Sequence, residues 1–179
     1  MRVISGKCRG LKLLSPVTCD TRPTADRVKE AVFSIISHDI SDSYVLDIFG
    51  GSGALVIEAL SRGAKYGYIN DSNKRSVDVI KKNIILTNMQ KYVTICNKDY
   101  LRFLTDLNDI QFDIIFLDPP YKSNYGKVCL EYISKNKLLS KTGLIVFETD
   151  KDFLEKIEDL ILVTTKKYGS TFIKIYKWR

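Results

Sequence analysis

From residue 44 onward the chain alternates between short apolar runs and longer stretches with helical spacing. Runs near 44 to 48, 66 to 70, 92 to 96, 112 to 117 and 143 to 148 are short and rich in β-branched and aromatic residues, as buried strands are. Between them, helices are predicted near 53 to 62, 74 to 87, 100 to 105 and 125 to 135. Such βα repetition predicts an α/β fold, a mostly parallel sheet covered on both faces.

The two ends read differently. Residues 2 to 5 and 11 to 14 form short strand-like runs around Gly6 and Gly10, a small N-terminal β-hairpin. A loop follows, and a helix is predicted from Thr24, with Pro23 near its start and Val28, Ala31, Val32, Ile35 and Ile36 spaced along one face. After a short helix near 151 to 157, Leu160 to Lys167 and Thr171 to Trp178 are β-rich and separated by Tyr168-Gly169-Ser170. They read as an antiparallel hairpin closing one side of the sheet. There is no repeat, linker or low-complexity tract, so residues 1 to 179 are expected to form one domain with residues 1 to 21 as an extension.

Composition narrows this. A chain of 179 residues with 45% hydrophobic content can build one sizeable core. No apolar run approaches the roughly 18 residues of a membrane span, and the first residues lack a signal-like apolar region, so a cytoplasmic protein is expected. Cys8, Cys19, Cys96 and Cys129 show no paired spacing and the one histidine is His38, which argues for free thiols and against a zinc site or disulfide framework. The net charge of +7 is unevenly placed: residues 1 to 30 and 166 to 179 together carry +9, and the middle carries −2. A near-neutral body with basic flanks suits a polyanionic partner, although the same charge could serve solubility alone.

Candidate chemistry gathers at strand ends. Val45 to Phe49 runs into Gly50-Gly51-Ser52-Gly53, where bare backbone and a helix start can approach a ligand closely. The dinucleotide fingerprint fails, because Val56 stands where G-x-G-x-x-G needs its last glycine. Asp47 at the loop entrance would repel a pyrophosphate but favour a cationic ligand such as the ammonium and sulfonium of S-adenosylmethionine. Asp71 follows the second strand, where an acid commonly accepts hydrogen bonds from ribose hydroxyls. Asp99, before Tyr100, follows the third; either acid alone reads first as an ordinary helix N-cap. Asp118-Pro119-Pro120-Tyr121 ends the fourth strand, because neither proline can donate to a ladder. That tetrapeptide suits methylation of a planar amine. Its plainer reading is a rigid turn with a packed tyrosine.

These residues resemble the class I S-adenosylmethionine-dependent methyltransferases, which implies a Rossmann-like fold. More closely, the chain resembles the bacterial 16S ribosomal RNA guanine-N2 methyltransferases of the RsmD type. The resemblance runs through Asp47 to Leu55, Glu58 to Ala64, Lys167 to Thr171 and, most specifically, Arg22 to Phe33. It implies that Asp47, Phe49, Gly50, Gly51 and Gly53 hold the methionine portion of the cofactor, Asp71 the ribose, Asp99 and Tyr100 the adenine, and Asp118 to Tyr121 the target base. The departures are Gly50 where the family usually has Ala, Val56 where Gly is common, and Asp71 where Glu is usual.

In that reading Asp118, with an ordinary carboxyl pKa of about 3.9, would be ionised and accept a hydrogen bond from the guanine N2 amine. The Pro119 carbonyl would accept the other N2 hydrogen, and Tyr121 would stack on the flipped base. Arg2, Lys7, Arg9, Lys12, Arg22 and Arg27 are candidates for RNA phosphate contact, the last two alternatively for structural ion pairs. The expected partner is 16S ribosomal RNA, within a 30S subunit or an assembly intermediate, acted on by a monomer without metal or membrane. Adenine-N6 methylation of DNA or RNA and a non-catalytic RNA-binding assembly factor are the competing functions; a nicotinamide oxidoreductase fits least, given Val56 and the Asp-Pro-Pro-Tyr.

Overall fold

Among the described residues, seven strands form one sheet in the order β3-β2-β1-β4-β5-β7-β6. The strands are β1 (Tyr44–Asp47), β2 (Tyr66–Asn70), β3 (Val93–Cys96), β4 (Phe112–Leu117), β5 (Leu139–Thr149), β6 (Leu160–Tyr168) and β7 (Thr171–Trp178). The computed structural model describes residues 1–16, 23–107, 110–120, 124–152 and 156–179. Expectations that rest on Cys19, Arg22 and Tyr121 lie outside that set. β1 to β5 pair in parallel, and β7 joins β5 antiparallel, with β6 antiparallel beyond it. The predicted mostly parallel sheet with an antiparallel tail is therefore present.

Helices α1 (Pro23–Ile35), α2 (Ala54–Ser61), α3 (Lys74–Leu86), α4 (Tyr100–Thr105) and α5 (Tyr125–Lys135) cover the sheet. The strands explain how. Val45, Ile114, Phe116, Leu144 and Val146 pack with residues of α1, α2 and α3, whereas Leu46, Ile115, Leu117, Ile145 and Phe147 pack with α4 and α5. Period-two alternation in strands buried on both faces thus builds two cores from one sheet. α2 is apolar almost all round, and seven of its eight residues are buried, as such a helix must be. Val56 on α2 occupies the space beside β2 that a side chain at Gly67 would need, since a Cβ there would lie 2.2 Å from Val56 Cγ1. The valine where the family often has glycine is thereby accommodated on the strand side.

Several elements differ from expectation. β5 begins at Leu139 rather than 143, and Trp178 Nε1 donates to the carbonyls of Leu139 and Ser140, holding that early start against the tail. The α1 stripe turns so that Lys29 and Phe33 are buried with Val28, Val32 and Ile36, while Ile35 is exposed. The helix expected near 151 to 157 falls partly outside the described residues; on its described side Ile157 instead bridges Leu160. The N-terminal hairpin is present as a loop with one antiparallel bridge, Arg2 to Lys12, extended by Val3 N to Leu11 O and Leu13 N to Met1 O hydrogen bonds. Among the described residues no helix is long and apolar enough to cross a membrane.

Beyond its own hydrogen bonds the hairpin is tied to α2 by Ser61, which accepts from Lys7 N and Cys8 N and donates to Ser5 O, and by Glu58. This fully buried carboxylate accepts from the amides of Ile4 (2.8 Å) and Ser5 (3.0 Å) and pairs with Arg62 and Lys29. Lys29 also donates to Arg2 O, so α1, α2 and the hairpin meet at one buried ion pair. Burial pushes the Lys29 ammonium down from its usual range, and Glu58 pushes it back up. Asn83 of α3 fixes the hairpin's exit, exchanging hydrogen bonds with Leu14 and donating to Ser52 O in the glycine loop.

Candidate active site

Strand order reverses between β1 and β4, which are adjacent and parallel, the chain crossing over from β3 to enter β4. In open α/β sheets ligands bind at this switch point, outside the carboxyl ends of the strands. A cavity of about 500 Å³ opens there, within the range of small-molecule sites. Asp47, Phe49, Gly50, Gly51 and Asp118 line it, together with Glu148 of β5. The wall is completed by Val28, Lys29 and Val32 of α1, by Met1, Ser15 and Pro16 at the ends of the hairpin, and by Gly169 to Thr171 at the β6–β7 turn. Both basic ends of the chain therefore border the cavity.

The glycine loop is shaped by what it touches. Gly50 donates to Asn70 O at 2.7 Å, and a Cβ at this position would lie 2.3 Å from Ile69 Cγ2. Glycine in place of the family's usual alanine is thus matched to the bulk of Ile69. Gly51 donates its amide to Asp71 Oδ2 at 2.9 Å, and Gly53 N caps the turn onto Gly50 O before α2 begins.

Asp47 is buried beneath this loop, and its carboxylate accepts from Phe49 N at 3.2 Å. Burial pushes its pKa up to about 7; the Phe49 amide opposes the rise and Asp71 adds to it. Asp118 is pushed well above the usual carboxylate range by burial in the cleft wall, then by the charges of Glu148 and Asp47. Solvent still reaches Asp118 through the cavity mouth, so its setting is a crowded cleft and not a sealed core. Burial and these two acids thus shift Asp118 upward from the ordinary carboxyl expected of it, while Lys29 is a cation on the same cavity wall. Three carboxylates facing one cavity favour a cation or a hydrogen-bond donor there.

The adenine candidates stand apart from this cavity. Asp99 is exposed and caps α4, accepting from Leu101 N at 3.0 Å, so the N-cap reading holds for it. Tyr100 reaches the site through rings: its centroid is 5.7 Å from that of Phe49 and 4.3 Å from that of Tyr125, which itself stacks on Phe49 at 6.3 Å. Pro119 is buried next to Asp118. Arg2, Lys7, Arg9 and Lys12 are exposed on the hairpin, and Arg27 is exposed on α1.

Sequence reasoning missed Glu148, Tyr125 and the Lys29–Glu58 pair. Glu148 obeys the rule that found the other acids, since it sits at the end of the fifth strand. Glu58 is the lone charge in an otherwise apolar helix, a pattern that signals a buried partner.

A family model described as Conserved hypothetical protein 95 matches residues 1–177. The chain belongs to this family. Within it, the Haemophilus influenzae protein named Ribosomal RNA small subunit methyltransferase D is 36% identical over 180 residues, covering 99% of this chain and 93% of that one. The Bacillus subtilis protein YlbH is 37% identical over 183 residues, covering both chains completely. The solved structure of Escherichia coli yhhF superposes with a TM-score of 0.89 at 28% identity, covering 100% of this chain and 98% of that one. The Rossmann-like class I fold and the RsmD-type resemblance are both borne out, and by family the chain is a methyltransferase.

Proposed function

We propose that the chain transfers the methyl group of S-adenosylmethionine to the exocyclic N2 amine of a guanine in 16S ribosomal RNA. The observation that carries this is the row of acids at one sheet edge: Asp47 and Glu148 lie near the ends of β1 and β5, and Asp99, Asp71 and Asp118 follow β3, β2 and β4, in a sheet ordered β3, β2, β1, β4, β5. The name carried by the Haemophilus influenzae relative supports the RNA.

The residues fit the cofactor. Asp47, a buried carboxylate with a raised pKa, suits the cationic methionine end, and the glycine loop leaves room for it over Gly51, where a Cβ would meet nothing within 4 Å. Asp71 would hold the ribose, and Asp99 with Tyr100 the adenine. When bound, S-adenosylmethionine supplies an electrophilic methyl with its own leaving group.

The chain's own residues do the rest. Guanine N2 is a poor nucleophile because its lone pair is delocalised into the ring. Asp118 accepts a hydrogen bond from the amine and the Pro119 carbonyl accepts the second, turning the lone pair out of the ring system toward the methyl. Once N2 has formed its new C–N bond it is cationic, and Asp118 takes the proton. A carboxyl pushed above its usual range is better matched to that task than an ordinary aspartate. Tyr121 is assigned by its place in the motif to stack on the base, which offsets a few kcal/mol of unstacking. Calorimetric titration with S-adenosylmethionine tests the first half of this reading: micromolar-range binding supports it, and none at millimolar ligand removes it.

A further inference from the structure

We propose that Glu148 selects guanine, accepting a hydrogen bond from the ring N1–H while Asp118 accepts one from the exocyclic amine. This rests on the guanine reading above and names the residue that enforces it.

Register places the two acids side by side. Leu117 of β4 pairs with Phe147 of β5 in parallel, so Asp118 and Glu148 are the next residues along neighbouring strands, whose backbones lie about 4.8 Å apart. Alternation places them on one face. Ile114 and Phe116 on β4, and Leu144 and Val146 on β5, all enter the core beneath α1 to α3, so the same period carries Asp118 and Glu148 to the α1 side, where both line the cavity. Asp47 follows Val45 to that side as well.

Position along the sheet separates cofactor from base. The glycine loop and Asp71 follow β1 and β2, whereas Glu148 lies on β5, on the far side of Asp118 from them. Glu148 is therefore placed for what lies beyond the reacting amine. On guanine's pairing edge that neighbour is N1–H, a donor adjacent to the N2 amine. On adenine the ring nitrogen beside the N6 amine is an acceptor. An ionised carboxylate only accepts, so a pair of acids complements two adjacent donors and repels adenine's lone pair. A site built to hydrogen-bond a donor rejects the analogue lacking it much more strongly than an apolar pocket could.

The test compares Glu148→Gln and Glu148→Asp with wild type. S-adenosylmethionine affinity is read by calorimetry, and N2-methylguanine and N6-methyladenine by mass spectrometry of nuclease digests after incubation with undermethylated 30S subunits. E148Q, whose amide can donate to an acceptor, is expected to bind the cofactor within about threefold of wild type and to lose at least about tenfold in the ratio of methylguanine to methyladenine. E148D should recover part of that loss. If E148Q does not fold, E148D carries the test, with a reduced guanine rate at unchanged cofactor affinity. An unchanged guanine rate in the folded variants overturns the role of Glu148 alone, as does a parallel loss of cofactor binding. Wild-type protein that labels adenine instead overturns the guanine reading together with it.

Discussion

Asp71 accepts the Gly51 amide at 2.9 Å through one oxygen and the Asn73 amide at 2.8 Å through the other. The acid assigned to the ribose is thus also the tether of the loop assigned to the methionine end. Asp71→Ala removes both charge-assisted hydrogen bonds, each of about 1.5 to 3 kcal/mol. The dissociation constant for S-adenosylmethionine should rise by at least about tenfold, measured by calorimetry on the folded variant. Affinity within twofold of wild type would detach this acid from the cofactor.

The raised pKa of Asp47 gives the empty protein an inverted pH response. The folded group binds its proton up to about pH 7, whereas the unfolded group releases it near about pH 4. This contribution to stability is therefore full below the lower value and is lost as pH rises through 7. Asp118 shifts the same way; among the described residues Glu148 and Lys29 also line the cavity, and Asp71 lies close enough to Asp47 to raise its pKa. Thermal melts should show the empty protein losing stability between pH 5 and 8, with S-adenosylmethionine stabilising it more at pH 8. The slope should shrink in Asp47→Asn.

Binding a cation should also drive protons off these acids. Below pH 7 the calorimetric enthalpy of cofactor binding should vary with the ionisation enthalpy of the buffer, in the direction of proton release. A buffer-independent enthalpy at pH 6 would mean that Asp47 does not face the cationic end.

The hairpin depends on Glu58. Removing its charge leaves Lys29 buried without its partner, and breaking buried pairs costs about 3 to 5 kcal/mol. Glu58→Gln should lower the melting temperature by roughly 6 to 20 °C and open residues 1 to 16 to proteolysis. Gly6→Ala should do the same by sterics, because its Cβ would lie 1.8 Å from Ser61 O.

Replacing Arg2, Lys7, Arg9 and Lys12 together should leave cofactor affinity unchanged and weaken RNA binding. If these exposed cations meet phosphates, the slope of log affinity against log salt falls by about 3. An unchanged slope would make them a solvated surface.

Much of this site was legible because strands end where their pattern breaks. Apolar runs ending in or followed by Asp47, Asp71, Asp99 and Asp118 pointed to one sheet edge before any coordinates, and βα repetition predicted a mostly parallel sheet covered on both faces. What stayed hidden depends on contacts between distant segments. Glu148 acquires meaning only from the β4–β5 register, and Lys29, one of the cations counted in the basic N-terminal flank, is turned by α1 onto Glu58. The same holds for the pKa of Asp118, since a side chain's own chemistry cannot report the acids beside it. Departures from family pattern at Gly50 and Val56 became intelligible through Ile69 and Gly67, their packing neighbours.

The central claim is that Asp118 serves methylation of a guanine amine, and one measurement meets it directly. Wild-type and Asp118→Ala proteins, both shown to bind S-adenosylmethionine, are incubated with labelled cofactor and undermethylated 30S subunits, and the labelled nucleoside is identified by mass spectrometry. The account predicts N2-methylguanine in 16S ribosomal RNA from the wild type and at least about a hundredfold slower transfer from the variant. An Asp118→Ala protein that methylates at the wild-type rate, or a wild type whose label sits on another base, would contradict it.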